Sequence, residues 1–171
     1  KTLQLAGETE AAKYAQQIMQ LETNIAKAQW SNVQNRDVPK LYNIYKIQDL
    51  SKLSPAIDWT AYLDGQQLTD KIQTIQVLQP SYFKALNSVV KKNSLPVWKA
   101  YFKYHLISDY SSLLSQDFVD NSFDFYSKKL RDVQEQQPRW KRGVQLVNST
   151  LGESLGQVYV QKHFSAEKKQ R

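Results

Sequence analysis

The sequence contains two histidines, His105 and His163, and no cysteine. A common zinc peptidase site needs two histidines one helical turn apart with a glutamate beside the first, because this spacing places two imidazoles on one helix face and a base near the metal-bound water. The two histidines here are far apart, so that pattern is absent. We therefore predict no metal-binding residue. We interpret His105 as a hydrogen-bonded packing residue and His163 as a partner of the last helix carbonyls.

Other catalytic patterns are equally absent. No serine lies in a Gly-x-Ser-x-Gly turn, and the five glycines are too scattered to form a phosphate-binding loop. Asp120 and Asp124 share a predicted helical face, where paired carboxylates could do acid–base chemistry, but capping and solvated charge are the favoured interpretation. We predict no catalytic residue, no cofactor-binding residue and no cofactor in this chain.

Basic residues are concentrated near the end of the chain. The net charge is +7, and six basic residues lie between Lys128 and Arg142 against two acidic ones. Together with Trp140, this cluster could bind phosphates and stack on bases. The basic residues alternate with Asp, Glu and Gln, however, and no known nucleic-acid fold pattern is present. A stand-alone basic helical module for nucleic acid or an acidic protein therefore remains the alternative.

Gly152 and Gly156 are four residues apart, a spacing found where membrane helices pair. Polar residues lie between and beside them, including Glu153 and Gln157, so a helix formed by this segment would not be apolar on all sides. The chain also has no apolar run long enough to cross a membrane. We expect close packing of these glycines against a neighbouring helix, and no membrane contact from this segment.

The apolar residues recur mostly at steps of three and four, which predicts an all-α chain forming one helical domain over residues 1–171. The aromatic helix around Trp98, Phe102 and Leu106 is expected to be almost fully covered. Asp58 is placed to cap a short helix that Gly65 would end in a left-handed conformation. The predicted helices cover about 9–30, 48–53, 59–64, 80–93, 96–114, 116–131 and 138–164, with one short strand near 75–78, a connector over 31–45 and a further helix starting after Ser165.

Several stretches, in this order, resemble the amino-terminal, non-catalytic part of the neprilysin and endothelin-converting-enzyme family of zinc metallopeptidases. The resemblance runs from about Leu3 to the end of the chain. The last helix carries its most specific motifs, Arg-Trp-Lys-Arg and Leu-Gly-x-x-Tyr-Val. The matching stretches are LETNIAKAQWSNVQNRDVPKLYNIYKIQDLSKLSPAIDWTAYL, QPSYFKAL, VWKAYFKYHLI, FVDNSFDFYSKKL and QPRWKRGVQLVNSTLGESLGQVYVQKHF.

This resemblance implies an inactive helical part of a larger zinc metalloendopeptidase. In such an enzyme the helical part encloses the active site and restricts the access of oligopeptide substrates, while the zinc belongs to a catalytic domain downstream of this chain. The family's His-Glu-x-x-His helix has no counterpart here. The implied partners are therefore oligopeptides and that catalytic domain, and no nucleic acid.

Gly143 is the informative departure from the family pattern. The family often has cysteine after its Trp-Lys-Arg motif, so glycine here removes a disulfide partner. The resemblance then implies a bacterial-type member, whose parent enzyme we expect to be periplasmic or extracellular.

Overall fold

The computed structural model describes residues 1–164, so the helix expected after Ser165 lies outside the described residues. The chain divides into two compact units, Lys1–Phe118 and a second unit that begins at Val119. The prediction of one domain over 1–171 stays a prediction. The α-helices are α1 (Thr2–Leu5), α2 (Ala11–Ala28), α3 (Val38–Leu41), α4 (Leu50–Leu53), α5 (Trp59–Gly65), α6 (Pro80–Lys92), α7 (Leu95–Tyr110), α8 (Gln116–Ser122), α9 (Arg139–Thr150) and α10 (Gly152–His163).

The prediction of an all-α fold is confirmed, with a small sheet added. Strands β1 (Ile44–Lys46) and β2 (Thr74–Gln76) pair in antiparallel fashion. The strand predicted near 75–78 corresponds to β2. Its partner β1 falls in the stretch predicted to be a connector, and the same stretch also contains α3 and a 3-10 turn over Gln34–Arg36. A strand of three residues is too short to show an alternating pattern. Its formation depends on pairing with a strand that lies 30 residues along the chain, which the local sequence does not reveal.

The long helices α2, α6 and α7 enclose the main core of the first unit. The helix predicted over about 9–30 is α2, and at its centre Ile18 and Leu21, three residues apart, are 5% and 0% exposed. Leu21 packs with Val89 of α6 and Val97 of α7. Burial of side chains spaced by three and four stabilises each helix by removing one apolar stripe from water.

A second core lies under the sheet and the short helices α4 and α5. Leu50, Leu53 and Val77 are buried there, and Trp59 and Phe83 pack against them. The predicted cap at Asp58 is confirmed, because its side chain accepts a hydrogen bond of 3.0 Å from the Ala61 N–H. The expected left-handed Gly65 is wrong: Gly65 ends α5 itself, and Gln67, at φ 55°, makes the turn instead.

Asn87 of α6 holds the turn between α4 and α5 in place. Its Oδ1 accepts from the Ala56 N–H at 2.9 Å and from the Ser54 hydroxyl at 3.2 Å. We expect Asn87→Ala to lower the free energy of unfolding by about 1–2 kcal/mol, since the substitution leaves a buried donor without its acceptor. Urea denaturation measures this. The exposed neighbour Ser88 gives the control, because Ser88→Ala should change stability by less than about 0.5 kcal/mol. Equal effects would contradict the role of Asn87.

Helix α7 is not covered as predicted. Val97 and Ala100 are buried, but Phe102 is 62% and Leu106 is 61% exposed. The helix ends at Tyr110 and passes into a 3-10 turn over Ser111–Leu113. Its large apolar residues are spread over more than one side, and the side that α1, α2 and α6 cover leaves Phe102 and Leu106 in contact with solvent within this structure.

The second unit differs from the two helices predicted for it. The segment predicted over 116–131 is α8 followed by a π-helix over Phe123–Lys129. The single closing helix predicted over 138–164 is broken at Leu151, with φ −120° and ψ 25°, into α9 and α10. The hydroxyls of Ser149 and Thr150 both donate to the Leu146 carbonyl at 2.9 and 2.7 Å, a contact that bends helices, and Gly152 follows with low helix propensity.

Candidate functional site: an apolar cleft beside strand β2

The register of the small sheet decides which backbone groups of β2 are available. Ile44 lies opposite Gln76, and Tyr45 lies opposite Ile75. The Val77 N–H donates to the Asn43 carbonyl at 2.8 Å, and the Ile47 N–H donates to the Gln73 carbonyl at 3.1 Å. Because the direction of backbone groups alternates along a strand, Thr74 and Gln76 point theirs away from β1. In the described part of the chain the sheet has no third strand on that side.

A cleft of about 360 Å³ opens beside β2. Its apolar lining includes Leu50, Trp59, Val77 and Phe83, whereas β1 contributes no lining residue. Trp59 and Phe83 pack with ring centroids 5.6 Å apart, which gives the cleft a rigid aromatic wall. The cleft therefore opens on the outer side of β2 rather than across the sheet.

The polar rim of the cleft is organised by Gln79. Its Oε1 accepts from the Trp30 N–H at 2.9 Å, and its Nε2 donates to Asn35 Oδ1 at 2.8 Å. Both ends of the amide are thus used to fix the loop after α2 against the start of α6. The indole N–H of Trp30 also donates to the Ser81 hydroxyl at 2.6 Å. These bonds hold the chain that follows β2 in one conformation.

The sequence did not single out this cleft. Trp59 falls in the helix predicted over 59–64 and Phe83 in the helix predicted over 80–93, and neither pattern places the two rings together. The available signal was the alternation of Ile75 and Val77 with Gln, which predicted the strand. Periodicity does not reveal that an aromatic pair from two helices lies beside a strand edge.

His105 is hydrogen bonded and packed, as predicted. Its Nε2 donates to Glu22 Oε1 at 2.9 Å, which ties α7 to α2. The ring lies 4.4 Å from the Tyr101 ring, centroid to centroid. Burial raises the pKa of Tyr101 above its ordinary value, and the negative charge of Glu22 acts in the same direction.

The raised pKa of Tyr101 predicts a loss of stability at alkaline pH. The folded state holds the phenol proton more tightly than the unfolded chain, so this contribution is complete below about pH 10 and disappears as the pH rises through the folded pKa. We expect the unfolding free energy of Tyr101→Phe to fall less steeply above pH 10 than that of the parent. Urea titrations from pH 7 to 11 measure this, with the difference at pH 7 as the reference. A constant difference over that range would contradict the prediction.

The other candidate residues, His163, Asp120 and Asp124, lie in the second unit. His163 lies in the last turn of α10 and contacts the Tyr159 ring at 4.7 Å. Asp120 lies in α8, and Asp124 lies in the π-helix that follows it. That the two carboxylates share one helical face stays a prediction.

The basic cluster and the glycines of the second unit lie at its surface. Trp140 is 66% exposed, and the Lys141 ammonium lies 5.5 Å from its ring centroid. A Cβ added at Gly152 or at Gly156 would meet no atom within 4 Å. The predicted close packing of these glycines is therefore not found in the structure as described.

The donors present do not fit a zinc ion. Over residues 1–164, no group of three or more His, Asp or Glu side chains is arranged to hold a metal, and His105 is already bonded to Glu22. That no residue of this chain holds a metal stays a prediction. Among the same residues, no helix has the length and apolar character needed to cross a bilayer.

The profile of peptidase family M13 matches residues 1–171, the whole chain. Neprilysin-11 of Caenorhabditis elegans is 26% identical over 168 residues, covering 95% of this chain and 20% of the relative. Human endothelin-converting enzyme 1 is 26% identical over 167 residues, covering 95% of this chain and 22% of the relative. The chain thus spans about a fifth of the length of these proteins.

Solved structures give the same result. The zinc metalloprotease Zmp1 of Mycobacterium tuberculosis in its open state is 32% identical, with a TM-score of 0.83 over 96% of this chain and 26% of that one. The same enzyme in complex with an inhibitor gives a TM-score of 0.82 over 92% of this chain and 24% of that one. None of these comparisons supports a stand-alone nucleic-acid-binding module. The chain belongs to peptidase family M13, as the amino-terminal helical region of a neprilysin-like zinc metallopeptidase.

Proposed function

We propose that this chain is the non-catalytic helical part of a zinc metalloendopeptidase that cleaves oligopeptides, and that it encloses the active site and restricts access to it. The zinc and the groups that activate water belong to the rest of that enzyme. The chain by itself cleaves nothing. Its partners are oligopeptide substrates, reached through the parent enzyme, and the catalytic domain of that enzyme.

The exposed side of α7 carries the proposal. Phe102 and Leu106 are each about three-fifths exposed, and Tyr110 is 54% exposed. Large apolar side chains exposed together on one helix side are typical of a surface that another part of a larger protein covers. This chain covers 20% of Neprilysin-11 and 26% of Zmp1, and the rest of such a protein supplies the polypeptide that covers this side.

The solved relatives support the enclosing role. Zmp1 has been solved in an open state, in a partially open state and with an inhibitor. A peptidase that opens controls access to an interior. For the present chain we infer the same arrangement, in a parent enzyme that acts in the periplasm or outside the cell, with no nucleic acid or membrane contact from this segment.

Access is tested with one cleavable sequence presented in two ways. The full-length gene product is given a quenched decapeptide and the same decapeptide flanked at both ends by small folded domains. We expect cleavage of the free peptide that a zinc chelator abolishes, and no cleavage of the flanked form, because the folded domains cannot enter the enclosure. The 171-residue chain should cleave neither. Equal cleavage of both forms would overturn the enclosing role.

A further inference from the structure

We propose that the outer edge of β2 binds an extended, uncharged peptide segment as a third strand, and that one apolar side chain of this segment enters the cleft beside β2. The site would anchor an oligopeptide substrate away from the reacting bond. In taking the peptide to be a substrate, the inference rests on the proposed function. The binding itself depends only on residues of the first unit.

The strand edge supplies the backbone half of the site. Thr74 and Gln76 are exposed, and the register directs their N–H and C=O groups away from β1. An edge with unpaired groups is a template on which an extended peptide adds a strand, since its own N–H and C=O groups match at the same spacing. β2 therefore offers two successive positions for pairing.

The cleft supplies the side-chain half. Side chains of an added strand alternate between the two faces of the sheet, so every second one points to the face that carries Ile75 and Val77. On that face Trp59 and Phe83 form the aromatic wall of the cleft. Leu78 at the mouth is 53% exposed, which leaves apolar surface for an incoming aliphatic or aromatic side chain to cover.

The absence of charged residues from the cleft lining favours an uncharged peptide segment. Within the described residues, no Asp, Glu, Lys, Arg or His residue lines the cleft, and its polar lining residues are Gln29, Gln76, Gln79 and Tyr82. A charged side chain would lose its hydration there without gaining a counter-ion. The amide of Gln29 can bond a neutral peptide backbone, whereas Gln76 Nε2 already donates to the Leu41 carbonyl at 3.0 Å and the amide of Gln79 is bonded at both ends.

The test uses a labelled, capped octapeptide in which Phe and Leu alternate with Thr, and fluorescence anisotropy measures its affinity. Gln76→Pro removes the outward N–H while the cross-strand bonds to β1 remain, a change that edge strands tolerate. Gln76→Ala is the matched control, because it removes the same side chain and keeps the N–H. We expect Gln76→Pro to weaken binding by about tenfold and Gln76→Ala by less than about twofold.

The peptide provides a second, independent control. N-methylation of alternate residues blocks one of the two sets of N–H groups. One methylated set should abolish binding and the other should retain it, because only every second N–H of an added strand faces β2. Equal effects of both sets, equal affinities of the two Gln76 variants, or no binding to the unaltered protein would overturn the proposal.

Measurements on the 171-residue chain and on the full-length gene product with its zinc chelated separate this site from the proposed function. Circular dichroism checks that each variant is folded. If the gene product cleaves peptides but binding does not differ between Gln76→Pro and Gln76→Ala, the anchoring site is wrong and the proposed function stands. If Gln76→Pro weakens binding more than Gln76→Ala does but the gene product cleaves no peptide, the proposed function is wrong and the binding site stands. A third strand from elsewhere in the gene product, found paired with β2, would also overturn the anchoring site.

Discussion

Replacing Leu21 by alanine is expected to lower the free energy of unfolding by about 2–5 kcal/mol. Leu21 has no exposed surface and contacts Val89 of α6 and Val97 of α7. The substitution removes three carbons from the point where α2, α6 and α7 meet. The surrounding helices are long and collapse only partly, so a cavity remains. Urea denaturation followed by circular dichroism gives the difference.

Met19 provides the control for Leu21 on the same helix. It is 65% exposed, so Met19→Ala should change stability by less than about 0.5 kcal/mol. Both variants place alanine in α2, so helix propensity changes little in either case. A loss below 1 kcal/mol for Leu21→Ala would show that α2 does not pack against α6 and α7 as described.

Placing a carboxylate on the exposed side of α7 is expected to impair the full-length enzyme far more than it destabilises this chain alone. Leu106 is 61% exposed, so Leu106→Asp should cost the 171-residue chain only about 1 kcal/mol, mainly through the lower helix propensity of aspartate. If the catalytic domain covers this side, the same change buries an unpaired charge at a cost of several kcal/mol. We expect the full-length variant to lose at least about tenfold in peptidase activity or soluble yield.

Leu106→Met is the matched variant for this test. It keeps the apolar character and nearly the volume of leucine, so both the chain and the full-length enzyme should tolerate it. Full activity and normal thermal stability of the full-length Leu106→Asp variant would mean that this side of α7 faces water in the enzyme. The main support for the enclosing function would then be lost.

The sequence by itself determined the helical class, the inward residues of α2 and the boundaries of α6. These features depend on residues that are close in the sequence. Ile18 and Leu21 are three residues apart, so they lie on one face of α2. Helix α6 begins at Pro80 and ends at Lys92, with Asn93 as its C-cap. The family was also recognisable, because motifs such as Arg-Trp-Lys-Arg occur in the expected order in the amino-acid sequence. His105 was predicted correctly, since an imidazole within an aromatic helix needs a partner for its N–H.

Only the tertiary structure decided the partner of β2, the break at Leu151 and the exposed side of α7. Each depends on groups that are distant in sequence or on which surfaces remain uncovered. β1 forms because Tyr45 pairs with Ile75. The cleft forms because the rings of Trp59 and Phe83 contact each other and pack against the same cluster as Ile75. The spacing of apolar residues shows which side chains favour burial, but it does not show whether the surface that covers them lies in the same chain. Leu106 stays 61% exposed among the described residues.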